Sequence, residues 1–285
     1  MLLNLINSMN NKTNNKLTPK QIDEMCEVYK KHIYTLTEIG DMFGVVASSV
    51  HGVVKRRNLI PLNKINRTYT IDVNAFSEIN SASSYYLGFL YADGYVNKTR
   101  NTVVLSLQYN DKHILDEFSR FLKTNKPIQY IKQGKRIGRD KHHWALSIES
   151  KKIKDDLIDL GCIPMKTKIL KFPNIGVEFI PDFIRGYFDG DGCITYSVEN
   201  KLWSFSVWGT KSVLSGIKSY LETNIGVNNE VSIIHTKSEG VFSLRYSAKK
   251  DVFNIGKMLY QNNTCHKLIR KYNKYLEIFK SYDQT

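Results

Sequence analysis

Tyr86-Leu87-Gly88-Phe89-Leu90-Tyr91-Ala92-Asp93-Gly94 and Ile184-Arg185-Gly186-Tyr187-Phe188-Asp189-Gly190-Asp191-Gly192 are two versions of one segment, with Asp191 lying 98 positions after Asp93 (191 − 93). Each carries small residues four apart, Gly88 with Ala92 and Gly186 with Gly190, a spacing that puts both on one face of a helix. Glycine inside a helix costs about 1 kcal/mol relative to alanine. The reason for accepting that cost is a second helix approaching closer than the usual spacing of about 8–10 Å. The other helix with a matching groove is the repeat itself, so the two are expected to pack about a pseudo-twofold axis. Both segments stop at Asp-Gly, and Gly94 and Gly192 are expected in the left-handed position past the helix end.

The offset persists around the motif. Leu146 aligns with Leu244, and Lys151-Lys152 with Lys249-Lys250, at 98; a slip of one brings Asp111-Lys112 onto Thr210-Lys211 and Lys168 onto Lys267. Residues 81–175 and 176–285 therefore read as two copies of one unit. Periodicity gives each copy the order helix, two strands, helix, two strands, helix. In copy one the strands are expected near 95–98, 102–108, 128–132 and 143–148, with helices over 111–122 and 151–160. In copy two the strands fall near 193–198, 203–208, 230–235 and 241–246, with helices over 211–221 and 249–260. The class is α+β with antiparallel hairpins.

Two aspartates end two packed helices, where the negative end of the dipole disfavours an acid by typically about 0.3–1 kcal/mol. Side by side they also repel each other. Such a pair calls for a hard divalent cation, and Mg²⁺ prefers a few carboxylates completed by water and phosphate oxygens. A metal there can activate water and stabilise the leaving oxygen of a phosphodiester.

Composition agrees on the partner. Lys and Arg number 41 against 27 acidic residues, a formal charge of +14 on 285 residues, which favours a polyanion through counterion release. Hydrophobic residues make up 42%, enough for a real core. Cys26, Cys162, Cys193 and Cys265 show no CxxC spacing, which argues against a zinc knuckle or a disulfide framework and for reduced thiols in a reducing compartment. The apolar but Asn-interrupted N-terminus fits neither a secretory signal nor a transit peptide, and no apolar run approaches the roughly 20 residues of a membrane span. The expectation is a soluble intracellular protein.

Residues 1–16 are Asn-rich and expected as a flexible tail, and 61–80, with Pro61, as a linker. Between them, 17–60 reads as three short helices. Thr18-Pro19 opens the first, with Ile22, Met25, Cys26 and Tyr29 on one face; the second runs from Leu36 to Phe43; Gly44 turns into the third, over 46–57. The pattern Thr-x-x-x-Ile-x-x-x-Phe-Gly-Val followed by Ser-Ser-Val-x-x-x-Val-Lys resembles the helix-turn-helix family. That resemblance would place Ser48, Ser49, His51, Lys55, Arg56 and Arg57 toward DNA.

The two nonapeptides resemble the signature helices of the LAGLIDADG homing endonuclease family in its single-chain, two-repeat form, over about 200 of the 285 residues. The resemblance implies a duplicated αββαββα fold with two four-stranded antiparallel sheets forming a saddle on double-stranded DNA. It implies a monomer that uses Mg²⁺, or Mn²⁺ in its place, to leave short 3′ overhangs at a long target site. Asp93 and Asp191 become the metal ligands, and Gly88, Ala92, Gly186 and Gly190 the helix interface. At the sixth motif position copy one has Tyr91 where the family often has Asp, and copy two has Asp189.

A basic residue near each metal centre is also implied. The candidates are Lys166 and Lys168 in copy one and Lys267 and Lys271 in copy two, with Lys168 and Lys267 favoured as repeat equivalents. For reading DNA, the strands and loops offer Lys98, Arg100, Gln108, Lys132, Lys135, Arg136, Arg139 and Lys141, then Lys201, Trp203, His235, Lys237 and Arg245. The run Gly134–Lys141 suggests a flexible clamp on the backbone. His142 and His143, adjacent on a strand, point to opposite faces and do not form a metal pair. Two other functions share this frame: an RNA maturase, and a non-catalytic transcription regulator, which retention of both Asp residues disfavours. An intein lacks its N-terminal nucleophile here.

Overall fold

The computed structural model describes residues 17–31, 33–59, 69–136, 139–228, 230–261 and 266–283, the side chains at 133–136, 139–141, 167 and 281–283 excepted. The expected tail, residues 60–68 and Cys265 lie outside that description. Two compact units divide at Thr68/Tyr69.

The first unit holds α1 (Pro19–Lys30), α2 (Leu36–Met42) and α3 (Ala47–Arg56). Reciprocal capping boxes start the first two helices, Thr18 with Gln21 and Thr35 with Glu38. Met25, Cys26, Tyr29, Ile39, Val45, Val50, Val53 and Val54 form its core. The bend between α2 and α3 uses Gly44 at φ +68°, while a Cβ on Gly40 would sit 2.4 Å from the Val45 carbonyl oxygen. The three expected helices are thus present, within a residue or two of their expected ends.

In the second unit, residues 69–80 are not a linker. Ile71, Val73 and Phe76 are buried, the Asp72 amide donates to Leu122 O at 2.8 Å, and Ser77 Oγ donates to Asp156 Oδ2 at 2.9 Å. Three apolar side chains spaced irregularly give no helix or strand period, so the segment looks like a linker until its packing is seen.

The first copy comprises α4 (Ser81–Asp93), β1 (Gly94–Val96), β2 (Thr102–Gln108), α5 (Lys112–Phe121), β3 (Gln129–Arg136), β4 (Arg139–Glu149) and α6 (Lys151–Asp159). The second comprises α7 (Ile180–Asp191), β5 (Gly192–Ser197), β6 (Leu202–Gly209), α8 (Lys211–Ile225), β7 (Ile233–His235), β8 (Phe242–Tyr246) and α9 (Lys249–Tyr260). Strand order is β1-β2-β4-β3 in one antiparallel sheet and β5-β6-β8-β7 in the other. The same order in both copies is the structural form of the repeat. Val103, Leu105, Leu107, Leu146 and Ile148 line the covered face of the first sheet beneath α5 and α6, and Phe205, Val207, Leu244 and Tyr246 do the same in the second.

Sequence reading and structure differ at three places in the strands and the last helix. The basic run 134–141 does not form a loop: the strands β3 and β4 continue through most of it, with a register shift between Gln133 and Arg136. Backbone pairing alone sustains such a ribbon, so polar side chains do not end it. β7 is short, three residues against the expected six. Beyond α9 there is a further helix, α10 (Ile269–Asp283), where the first copy has only a single 3₁₀ turn at Lys166–Lys168.

α4 and α7 lie at the centre. Residues 83–91 of α4 are buried without a break, the mark of a helix enclosed on all sides. A Cβ on Gly88 would stand 2.1 Å from Phe183 O, and one on Gly186 1.9 Å from Tyr85 O, so the backbones touch where the sequence places its glycines. A Cβ on Gly190 would come within 2.3 Å of Ala92 Cβ and 3.3 Å of Asp93 Oδ2. Gly94 and Gly192 are not left-handed: their φ values are −75° and −98° with extended ψ, because each helix runs directly into a strand. Glycine is needed there for room, since a Cβ would collide with Leu90 O at 2.5 Å and with the Phe188 ring at 2.0 Å.

Candidate active site at the paired helix ends

Packing α4 against α7 at small residues brings Asp93 and Asp191 to one end of the seam. Asp93 is exposed on one side and Asp191 is half-buried, so both open to solvent while protein surrounds them elsewhere. That low-polarity surround raises both carboxyls; Asp191 moves up to about 6, through burial first and then through the neighbouring charge of Asp93. For Asp93 the rise is opposed by the positive charges of Lys271, Lys166 and Arg270.

Each helix end is closed by a buried lysine. Lys166 Nζ donates to Leu90 O and Tyr91 O at 2.6 Å and to Ala92 O at 3.1 Å. Lys271 Nζ donates to Phe188 O at 2.5 Å, Asp189 O at 2.8 Å and Gly190 O at 3.4 Å. These are the orphan carbonyls that any helix leaves at its C-terminus, and a cation there also meets the negative end of the dipole. Burial lowers both ammonium groups, Lys271 to about 8. The lysines make it possible to hold two acids at two negative helix ends.

Repeat equivalence therefore joins Lys166 to Lys271, not Lys168 to Lys267. Lys168 is exposed and pairs with Glu239 at 2.8 Å, and Lys267 Nζ lies 4.2 Å from the Tyr272 ring centroid. The constant offset misleads because the second copy reaches its lysine through the longer connection after α9. The available sign is the pair Arg270-Lys271 in the first turn of α10, where cations oppose their own helix dipole.

The sixth motif position separates the copies. Asp189 is 1% exposed and accepts from Tyr260 Oη at 2.7 Å, Tyr85 Oη at 2.9 Å and the Leu268 amide at 2.8 Å. It thereby anchors the segment that begins α10. Tyr91, its counterpart, donates to Leu160 O at 2.7 Å. Arg185, also enclosed, donates to His266 O at 3.0 Å and Asp182 Oδ1 at 2.5 Å. These supports of Lys271 leave no local pattern in the sequence.

A cavity of about 200 Å³ adjoins Asp191 and Lys166, lined also by Tyr91, Tyr187, Gly209 and Thr210. Among the described residues no group of three or more His, Cys, Asp or Glu side chains gathers as a metal cluster; the donors on offer here are the two carboxylates.

The remaining candidates distribute unevenly. Lys98, Arg100, Gln108, Lys132, Lys201, His235, Lys237 and Arg245 are exposed. Trp203 is not available to a ligand: it is 9% exposed and packs on Tyr196, ring centroids 4.9 Å apart. Lys132 pairs with His142 two positions from the Tyr130–Trp144 pair, which puts it on the same sheet face as Leu107, the face that carries the helices. The side chains of Lys135, Arg136, Arg139 and Lys141 lie outside the described residues. In the N-terminal unit, Ser48, His51, Lys55 and Arg56 are exposed, Ser49 is half-buried, and Arg57 pairs with Asp23 at 2.8 Å.

Comparison with known proteins gives one family-model match and several similar solved structures. Residues 178–281 match the family model described as a LAGLIDADG-like domain. Solved structures similar to this chain include the LAGLIDADG homing endonuclease I-GzeII in complex with its DNA target, at 15% identity over 71% of this chain and 89% of that one, TM-score 0.46. The I-LtrWI LAGLIDADG homing endonuclease bound to target DNA is similar at 12% identity over 75% and 92%, TM-score 0.47. The N-terminal LAGLIDADG domain of DUF199/WhiA is similar at 15% identity over 70% and 87%, TM-score 0.44. Among curated proteins nothing matches. The chain is thus a duplicated α+β fold with one strand order in both copies and a motif helix at the head of each, and its residues 178–281 match a LAGLIDADG-like domain.

Proposed function

We propose that this chain is a site-specific endonuclease that hydrolyses phosphodiester bonds of double-stranded DNA, with Mg²⁺ or Mn²⁺ held between Asp93 and Asp191. The observation that carries this reading is the pair of carboxylates at the seam, open to solvent and each beside a lysine-capped helix end. Raised carboxyls gain from a partner that favours their charged form, and the donor set is purely hard oxygen, which fits Mg²⁺ with waters and phosphate completing its shell. Bound there, a divalent cation supplies Lewis acidity toward the phosphodiester and its leaving oxygen. Lys166 and Lys271 offset the acids and the helix dipoles, keeping the carboxylates ionised near neutral pH. Exposed basic residues on the turns and strands, with the net charge of +14, provide the attraction to the duplex. The exposed side of α3, with Ser48, His51, Lys55 and Arg56, adds a helix-turn-helix contact outside the cut site.

The test is incubation with randomised duplex DNA and Mg²⁺, followed by sequencing of the cut ends. Staggered cuts with short 3′ overhangs at one long site are expected, abolished by Asp93→Asn or Asp191→Asn while binding persists. Full cutting by either variant would refute the assignment. Binding without cutting by the parent would mean a regulator, and preference for a structured intron RNA a maturase.

A further inference from the structure

The two halves of the site differ in one linked pair of residues. Lys166 and Lys271 occupy equivalent places, and the residue before each is Met165 in one copy and Arg270 in the other. Asp111 and Thr210 are likewise equivalent, each standing at the head of the helix that follows the second strand. Arg270 Nε reaches Asp111 Oδ1 at 3.3 Å and Oδ2 at 3.2 Å, so the acid and its arginine are present together on one side, while the other side has neither residue. Met165 is 77% exposed with φ +56°, and Thr210 donates its hydroxyl to Leu170 O at 2.6 Å.

Asp111 is built to hold that arginine. It is 4% exposed and also accepts from Gln108 Nε2 at 2.7 Å. The guanidinium meets it through Nε, and the Arg270 side chain is 49% exposed. It directly precedes Lys271, whose ammonium sits on the Phe188, Asp189 and Gly190 carbonyls just before Asp191, and so it stands at the carboxylate end of the seam. A planar, permanently charged fork held through Nε and half exposed suits a phosphate oxygen pair.

We propose that Arg270, braced by Asp111, contacts a backbone phosphate of one DNA strand only, so that the two strands are cut at unequal rates. This rests on the nuclease reading. Arg270 is the phosphate-contacting residue and Asp111 its positioning residue. The Met165/Thr210 half has no such arginine, and its strand is cut without that help.

The experiment uses the full chain and the duplex recovered from the cleavage selection, each strand end-labelled in turn, with single-turnover rates for both strands. The parent is expected to cut one strand first. Arg270→Ala should slow that strand by about 100-fold, the scale of removing one transition-state donor, and leave the other at its parental rate, turning the enzyme into a strand-specific nickase. Arg270→Lys should recover only part of the loss, and Asp111→Asn should slow the same strand alone although the arginine is unchanged. Equal slowing of both strands, or no slowing, with a folded variant would overturn the inference and leave the nuclease reading standing. A parent that cuts no DNA would overturn both.

Discussion

Replacing Asp191 by asparagine should make the protein more stable while abolishing the DNA cleavage proposed for it. Asp191 ordinarily titrates near 3.8 and is moved up to about 6, so its charged form is disfavoured in the fold by about 3 kcal/mol at about 1.4 kcal/mol for each step of one in pKa. The residue is only half-buried, and water on the open side screens part of this, which brings the expected gain to about 1–2 kcal/mol. Its pH course is set by the direction of the change. Below about pH 4 the carboxyl is protonated in both the folded and unfolded chain and the substitution gains nothing. Between about pH 4 and 6 the folded chain still holds a proton that the unfolded chain has lost, so stability from this group drains away as pH rises. Above about pH 6 the loss is complete and the gain from asparagine is full. Thermal unfolding in EDTA should show the variant about 2–8 °C above the parent at pH 7.5 for a domain of this size, with the difference shrinking toward pH 4.5. Added Mg²⁺ should raise the parent and leave the variant nearly unmoved. A variant less stable than the parent at pH 7.5, or a difference independent of pH, would refute the reasoning.

Gly186→Ala should cost about 3 kcal/mol or more in urea unfolding, since its Cβ would stand 1.9 Å from Tyr85 O; a loss under about 1 kcal/mol would mean the helix seam gives more easily than its geometry implies. Lys271→Met leaves three carbonyls of α7 without their donor and should destabilise by about 2–3 kcal/mol. Because burial brings Lys271 down to about 8, the parent should gain stability as pH rises from about 8 to 10.5, and the methionine variant should lack that portion of the rise. Deleting residues 1–60 should weaken DNA affinity and flatten its salt dependence by about 0.9 in log–log slope for each phosphate that the truncated chain no longer neutralises; unchanged slope and affinity would leave α3 without a role in DNA binding.

The sequence carried the fold through its repeated helices, because Gly88, Ala92, Gly186 and Gly190 encode a backbone contact that has few other uses. The strands followed from alternation and their duplication from the equal spacing of the copies, while their order in each sheet came only with the structure. What it withheld depends on long-range placement. Lys271 and Lys166 are joined by their carbonyl partners on α7 and α4, not by a constant offset, and the connection after α9 shifts the second lysine out of alignment. Trp203 has the outward look of a large aromatic near a turn, yet it is buried and packs on Tyr196. Residues 69–80 bury Ile71, Val73 and Phe76 without any regular period. The brace between Arg270 and Asp111 spans 159 positions and has no local signature.

Arg270 and Lys271 come after every other residue of the site in the chain, so ribosomes deliver the two carboxylates long before the cations that flank them. A nascent or prematurely terminated polypeptide would hold acidic helix ends with Phe188, Asp189 and Gly190 carbonyls still bare. The paired-carboxylate site is therefore complete only once α10 has docked and Lys271 has met the end of α7.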